Sequence, residues 1–300
     1  MRPQNRRTHR PVHRSRIVVT VDYAGQVVAF ATQHHKDRAV APVFRDRLGV
    51  TIEVADVDTD AFGTFAGDVP RTKSPLDTAL AKVEAGLDAS TRRLALASEG
   101  TIGPDSALPL TTSDIEVLVF RDAEAGITIH AQHRSYEIVA ARTQAKPTDD
   151  LREFLVRADF PRHGLIVKPP TGSPGPITKG IVDEIELGRA IRRVCELRGA
   201  SGSAIIESDL RAHFSPSRMS NITECARQLA DRIATPCPQC ASPGWGPVAP
   251  ARGLPCSNCR THIPTAVRAD VSGCVRCPAV REYPREDQSV DPRWCPVCNP

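Results

Sequence analysis

Aromatic residues make up only 4% of the 300-residue chain: two Trp, three Tyr and eight Phe. Stacking platforms for the bases of a single-stranded nucleic acid are therefore scarce. Long apolar runs are missing as well. The best candidates, IVVTV and IEVLVF, have the length of strands, well short of the roughly 18 residues that a bilayer-crossing helix needs. The arginines near the N-terminus are followed by no apolar segment long enough for a secretory signal, so the expected location is cytoplasmic, with no membrane partner. No Walker GxxxxGK occurs, and no long repeat is visible outside the cysteine-rich end. The apolar content of 40% and charged content of 25% are those of a globular chain, while 26 prolines and 19 glycines break it into short elements. Fibrous and wholly disordered readings are thereby excluded. The length suits two ordinary domains, or one large domain with a small appendage.

The formal net charge of +4 is unevenly spread. Residues 1–16 carry six arginines and no acid, residues 17–235 are net −4, and residues 236–300 are net +2. The basic stretch 1–16 reads as a solvated, disordered tail, with nucleic acid or an anionic surface as its other conceivable partner. Arginine outnumbers lysine 33 to 6, a bias that goes with the high alanine and proline content and carries no mechanism.

Eight of the ten cysteines form four CxxC pairs: Cys237/Cys240, Cys256/Cys259, Cys274/Cys277 and Cys295/Cys298. Two residues between thiolates let both sulfurs approach one ion in a tight turn, and two such knuckles close a tetrahedral zinc site. Four knuckles predict two structural Zn²⁺ in a zinc-ribbon-like module over 236–300. The spacers of 15, 14 and 17 residues contain β-prone pieces such as THIPTAVRADV and read as hairpins between knuckles. Consecutive pairing of knuckles is then the expectation, with a cross-braced arrangement as the other possibility. Two Zn²⁺ against eight thiolates turn the module's net +2 into about −2, so it is not a basic patch. Arg252, Arg260, Arg268 and Arg276, with Trp245, Tyr283 and Trp294, are the only material for a nucleic-acid face, and a protein-contact or structural role fits better. Cys195 and Cys225 lie in amphipathic helical patterns and read as small core residues.

The body alternates strand-like and helix-like segments. Strands are predicted at 17–22, 26–32, 50–55, 93–98, 115–120, 126–131, 164–168 and 203–208, and helices at 37–48, 75–88, 149–158, 183–198 and 216–234. Ser74-Pro75 and Ser215-Pro216 each place a capping hydroxyl before a proline at the first helical position. The class is α/β over 17–235: a mixed sheet flanked by helices. Three polar segments could carry chemistry. In ATQHHKDRAVAP a strand ends at Thr32 and a helix begins near Lys36, a place where amides and a lysine meet phosphate, or where His34, His35 and Lys36 are merely solvated. A glycine-rich loop brings Arg71 and Lys73 to the helix that carries Lys82, and Glu99 follows a strand just before Gly100. Together these form a workable phosphate–Mg²⁺ site. In ESDLRAHFSPSRM, Glu207, Asp209, Arg211, His213 and Arg218 read as an internal salt-bridge network that seats the last helix.

The motifs ATxxxKDRAVAP, DTDAFGTFAGDVPRTKSPLDTALAKVEAGL, LASEGTIGP, FPRHGLIV, ESDLRAHFSPSRM and CPVCNP make the chain similar, over nearly its whole length, to an uncharacterised bacterial family, domain of unknown function 6671. Residues 27–125 also resemble, more distantly, the inosine/xanthosine triphosphate pyrophosphatases and their Maf-like relatives. Thr32 and Lys36 correspond to their first motif, Ala79 and Lys82 to the second, and Glu99-Gly100 to the third. His34 and Thr78 stand where those enzymes have Asn, and Ser98-Glu99 where they have two Asp. This resemblance implies Mg²⁺-assisted hydrolysis at a nucleotide phosphate, with Glu99 binding metal or acting as base and Lys36 and Lys82 holding phosphates. The stretch LIVKPPTGSPGPITKGIVDEIELGRAI resembles the lysine strand and glycine-rich loop of an ATP-grasp enzyme, with Lys168 as the nucleotide lysine. The expected function is a metal-dependent nucleotide-phosphate hydrolase; the alternative is a non-catalytic adaptor that binds nucleotide, nucleic acid or protein. The hydrolase reading requires Lys36, Lys82 and Glu99 to converge.

Overall fold

Apolar strands separated by amphipathic stretches can bury their faces only if helices cover a sheet, and this is the arrangement in the computed structural model, which describes residues 22–62, 73–197 and 202–300. The basic tail 1–16, most of the expected strand 17–22 and Arg71 lie outside the described residues. The chain divides into two compact units, one covering Tyr23–Ala234 and the other containing Thr235–Pro300. Among the described residues, no helix is long and apolar enough to cross a membrane.

The first unit opens with strand β1 (Val27–Ala31), helix α1 (Asp37–Leu48), β2 (Thr51–Val54), α2 (Pro75–Asp88), β3 (Leu94–Pro104), β4 (Thr112–Asp122) and β5 (Ile127–Ser135). They form one sheet of order β2-β1-β3-β4-β5. β1 runs parallel to both β2 and β3, whereas β3, β4 and β5 are antiparallel neighbours. The crossovers from β1 to β2 and from β2 to β3 leave β1 in opposite directions, so the carboxyl ends of β1 and β3 flank a topological switch point. Ser74 caps α2 as its sequence predicts, its hydroxyl accepting the Asp77 amide at 3.1 Å. Gly49 closes α1 at φ 66°, its amide returned to Arg45 O.

The two faces of this sheet differ in side-chain size. Ala29, Ala31, Ala95 and Ala97, with Val117 and Val119, pave the face against Ala79 and Val83 of α2. Small residues let the helix sit close: a Cβ on Gly86 would stand 3.1 Å from that of Ala31. The opposite face carries Phe30, Leu96, Leu118 and Phe120. There the long helix α5 (Pro216–Ala234) covers β4 and β5 and packs on α1. Unlike Ser74, Ser215 does not cap its helix, since its buried hydroxyl has no hydrogen-bond partner.

The same unit contains β6 (Arg142–Ala145), α3 (Arg152–Arg157), β7 (Leu165–Lys168), β8 (Thr178–Ile181), α4 (Glu184–Glu196) and β9 (Ala204–Ser208). Their antiparallel sheet has the order β6-β9-β7-β8. Leu165, Val167 and Ile206 on its inner face pack with Leu187, Ile191 and Val194 of α4. Cys195 belongs to this core, and Cys225, on the inner face of α5, is buried against β4 and β5. Burial pushes the Cys225 thiol far above its ordinary pKa, so it is packing material and not a nucleophile.

The second unit is a four-stranded antiparallel sheet of β10 (Gly246–Pro247), β11 (Ala251–Pro255), β12 (His262–Gly273) and β13 (Val280–Pro284), in which both β11 and β13 pair with β12.

Candidate functional site

The four knuckles assemble into two clusters, Cys237/Cys240/Cys274/Cys277 and Cys256/Cys259/Cys295/Cys298, with all four sulfurs of each within 4.8 Å of one another. Knuckle one joins knuckle three, and two joins four, so the expected consecutive pairing is overturned in favour of the cross-braced arrangement. The reason lies in β12. Residues 262–273 form one continuous strand instead of a hairpin, about 40 Å long at ~3.3 Å per residue. It therefore holds the second and third knuckles at opposite ends. β10 pairs with the far end of β12 at Gly273, bringing Cys237 and Cys240 to Cys274 and Cys277. β13 then runs back along β12, and Val290 bonds to Pro255 and Ser257 beside Cys256, which delivers the fourth knuckle to the second.

The spacing fits a metal. A tetrahedron with arms of ~2.3 Å has edges of about 3.8 Å. The Sγ–Sγ distances across the clusters are 3.7 and 3.6 Å in one and 3.8 and 3.5 Å in the other. Backbone amides of Gln239, Arg276 and Cys277 point at Cys237 and Cys274 sulfurs at 3.3–3.4 Å, as donors to thiolates do. Each cluster can hold one ion with no position left over.

A second polar assembly lies at the switch point. Lys82, two turns into α2, is buried, and its Nζ contacts Glu99 Oε2 at 2.6 Å. The alanine-paved face beneath α2 is what allows this reach. Lys36 is also buried, and its Nζ donates to Ser98 Oγ at 3.1 Å, one residue from Glu99. Ser98 and Glu99 point to opposite sides of β3, but β1 ends at Ala31, so the charges around its end act on one another. Burial first, and then the charge of Arg218, lower Lys36 to about 8 against the opposing pull of Glu116 and Glu99. Lys36, Lys82 and Glu99 thus gather at one strand end, and Lys36 is not a solvated loop residue. Thr32 is buried there too, but its hydroxyl donates to its neighbour Gln33 O at 3.2 Å. Lys73 lies exposed just before the Ser74 cap, apart from the buried group.

Sequence reasoning missed Glu116, Asp114 and Asn221 and placed Arg218 in a network with its near neighbours in sequence. Arg218 and Glu116 are fully buried and paired at 2.6 Å, and Arg218 Nη1 also donates to Leu210 O at 2.7 Å. Asn221 Nδ2 donates to Asp114 Oδ2 at 2.9 Å. Asp114 and Glu116 lie two apart on the face of β4 that continues through Leu118 and Phe120. An acidic pair on an otherwise apolar stripe was the available signal. His34 and His35 take left-handed backbone conformations, φ 64° and 57°, in the turn after β1. His34 stacks on His213 at 5.3 Å, and burial together with His213 holds it down at about 4. The expected network in 207–218 is therefore divided: only Arg218 seats the last helix on β4. Glu207 meets Lys168, Arg211 meets Asp209, and His213 turns to the histidines.

Burial, and then the charge of Glu116, push Asp114 up from 3.8 to about 7. Between these values the folded chain keeps a proton that the unfolded chain has released, so stability falls as pH rises from about 4 to about 7. Asp114→Asn should remove this slope and gain on the wild type by roughly 2 kcal/mol between pH 5 and pH 8 in urea unfolding. Parallel curves for the two proteins would contradict the assignment.

The fold and clusters define an α/β protein carrying a C-terminal zinc-ribbon-like module with two tetracysteine sites. The profile of the family described as domain of unknown function (DUF6671) matches residues 82–300, and the chain belongs to that family. The match takes in Lys82, Glu99, Glu116, Arg218 and all eight clustered cysteines. No curated protein matches the chain.

Proposed function

We propose that this protein is a metal-dependent hydrolase of a nucleotide phosphate whose C-terminal module is held together by two structural Zn²⁺. The observation that carries the reading is that buried Lys36 and the buried Lys82–Glu99 pair lie around the carboxyl end of β1, with Glu99 in the middle of the longer β3. Open α/β sheets bind ligands at such switch points. One carboxylate beside substrate phosphates is a usual Mg²⁺ donor set, and Glu99 provides it. The bound ion supplies charge neutralisation at the phosphate. Lys82 exchanges its ion pair with Glu99 for a phosphate oxygen when substrate enters, and Lys36 holds a second oxygen while cationic. The tetracysteine sites keep no position for water and take no part in the reaction. Eight thiolates suit the reducing cytoplasm.

Nucleoside triphosphates, canonical and deaminated, should be incubated with Mg²⁺ and assayed for released pyrophosphate. Turnover is expected for at least one of them, lost in Glu99→Gln and in Lys36→Met with zinc content unchanged. Because Lys36 loses its charge above about pH 8, KM should rise steeply beyond that point. Nucleotide binding that depends on Lys36 without any turnover would leave the non-catalytic adaptor. Neither binding nor turnover would remove the nucleotide reading altogether.

A further inference from the structure

Two segments take no part in the nucleotide reading, FPRHGLIV and the SPS that leads into α5, and the fold brings them together. His163 of the first lies between α3 and β7 and is buried, with 3% of its side chain exposed. Its Nδ1 stands 2.8 Å from Asp159 Oδ2, and its Nε2 stands 3.0 Å from the hydroxyl of Ser217, the second residue of α5. Asp159, at φ 48°, accepts the His163 amide on its carbonyl at 2.9 Å, so the loop 159–163 closes on itself and fixes the ring.

The partners assign the protons. A carboxylate only accepts, so the proton of the neutral imidazole sits on Nδ1. Nε2 also receives the Ser217 amide at 3.2 Å, so it bears the lone pair, and the Ser217 hydroxyl donates to it. This is the polarity of a nucleophile paired with its base and of a base oriented by a third group. Two further features favour negative charge on Ser217 Oγ. The Val139 amide donates to that oxygen at 3.2 Å, and the hydroxyl sits in the first turn of a 19-residue helix, whose N-terminal end carries partial positive charge. A peg that merely joined α5 to the loop would need only the two hydrogen bonds of the ring. His163 is sealed from water, whereas Ser217 is half-buried. Val139 is followed by Ala140 and Ala141, which line a cavity of about 210 Å³ with Ile166, Ile177 and Leu210, so apolar room adjoins the segment that holds the hydroxyl.

We propose that Asp159, His163 and Ser217 form an acyl-transfer site for esters of small apolar acids, with Ser217 as nucleophile, His163 as general base and Asp159 as the residue that positions it. His163 Nε2 takes the hydroxyl proton as Oγ bonds to the ester carbon and the carbonyl pair moves onto its oxygen. When the tetrahedral adduct collapses, the bond to the alcohol oxygen breaks and the alcohol leaves with that proton. Water then gives a proton to the same nitrogen and attacks the acyl carbon; the acid departs and Ser217 recovers its hydrogen. Ester and water become acid and alcohol, with no other reactant. The proposal does not rest on the nucleotide reading, since none of the three residues belongs to the Lys36–Glu99 assembly.

The full, zinc-loaded chain should be treated with a fluorophosphonate and the modified peptide located by mass spectrometry. An adduct is expected on Ser217, formed with release of fluoride, absent in Ser217→Ala and at least about tenfold slower to form in Asp159→Asn. Hydrolysis of p-nitrophenyl butyrate should be lost in Ser217→Ala. His163→Gln should abolish labelling, with melting temperature and zinc content as checks of folding; if that variant melts early, Asp159→Asn, at a partly exposed position, carries the comparison. Burial holds His163 below its ordinary 6.5, while Asp159 favours its protonation and Arg162 opposes it, so the labelling rate should rise with a midpoint below pH 6.5 and then level off. A peg would impose no such dependence. No adduct on Ser217, an adduct that forms equally fast in Asp159→Asn, or butyrate hydrolysis that is missing or unchanged in Ser217→Ala would overturn the proposal.

Discussion

A chain lacking Cys237 and Cys274 should retain one equivalent of zinc, whereas a chain lacking Cys237 and Cys256 should retain none. The first pair of substitutions falls within one cluster and leaves the other four thiolates together; the second removes one ligand from each. Consecutive pairing would give the reverse result, because Cys237 and Cys256 would then share an ion. The expected effect is large. Structural zinc contributes roughly 10–16 kcal/mol of apparent binding free energy at neutral pH, and a closed shell missing one thiolate loses most of it. Little apolar core stands behind the metal in this unit: a cluster there comprises Cys256, Ile263 and Cys295 with a few half-buried neighbours. Removing both ions should therefore unfold Thr235–Pro300, seen as loss of dispersion for its amide signals in nuclear magnetic resonance. Metal analysis of the two double variants, purified without added zinc, decides the connectivity.

Arg218→Met should be the most destabilising single substitution in the first unit, by about 3–5 kcal/mol. Arg218 has no exposed surface, and neither has the Glu116 that it faces at 2.6 Å. Removing the guanidinium leaves a carboxylate buried without its counter-charge, beside Asp114, which already resists ionisation. The cost is thus a stranded charge and not a lost surface contact. Arg218→Met/Glu116→Leu should recover much of the loss, since replacing both partners by apolar groups is often close to neutral. Urea unfolding of the two variants makes the comparison; equal stability would show that the pair is not coupled as described. Gly100→Ala tests the same contact from the other side. A Cβ there would meet Glu116 Oε1 at 2.4 Å and Arg218 Nη2 at 2.5 Å, so the methyl group must displace the pair.

The extent of legibility can be seen in particular elements. Helices α1, α2 and α5 begin and end where their apolar periodicity says, and prolines open α2 and α5, since these signals are local. β3, β4 and β5 run several residues past their apolar cores, because pairing with a neighbouring strand extends a ladder into polar sequence. Lys82 sat at the border of the apolar stripe of α2, which permitted either orientation. The alanines beneath it, scattered over β1 and β3, brought the helix close enough for Lys82 to reach Glu99.

By itself the sequence determined the α/β class, the position of the main helices and strands, and the presence of eight cysteines in four CxxC turns of metal-ligand spacing. Each of these depends on spacing within a few residues, where the chain's own geometry dictates what meets what. Which knuckles share an ion, which acid Arg218 neutralises and which face of α2 carries Lys82 were decided by tertiary structure alone. Cys237 is 37 residues from Cys274, and Glu116 is 102 residues from Arg218. Contacts at such separations follow from strand order and sheet register, and no local pattern of residue types encodes these.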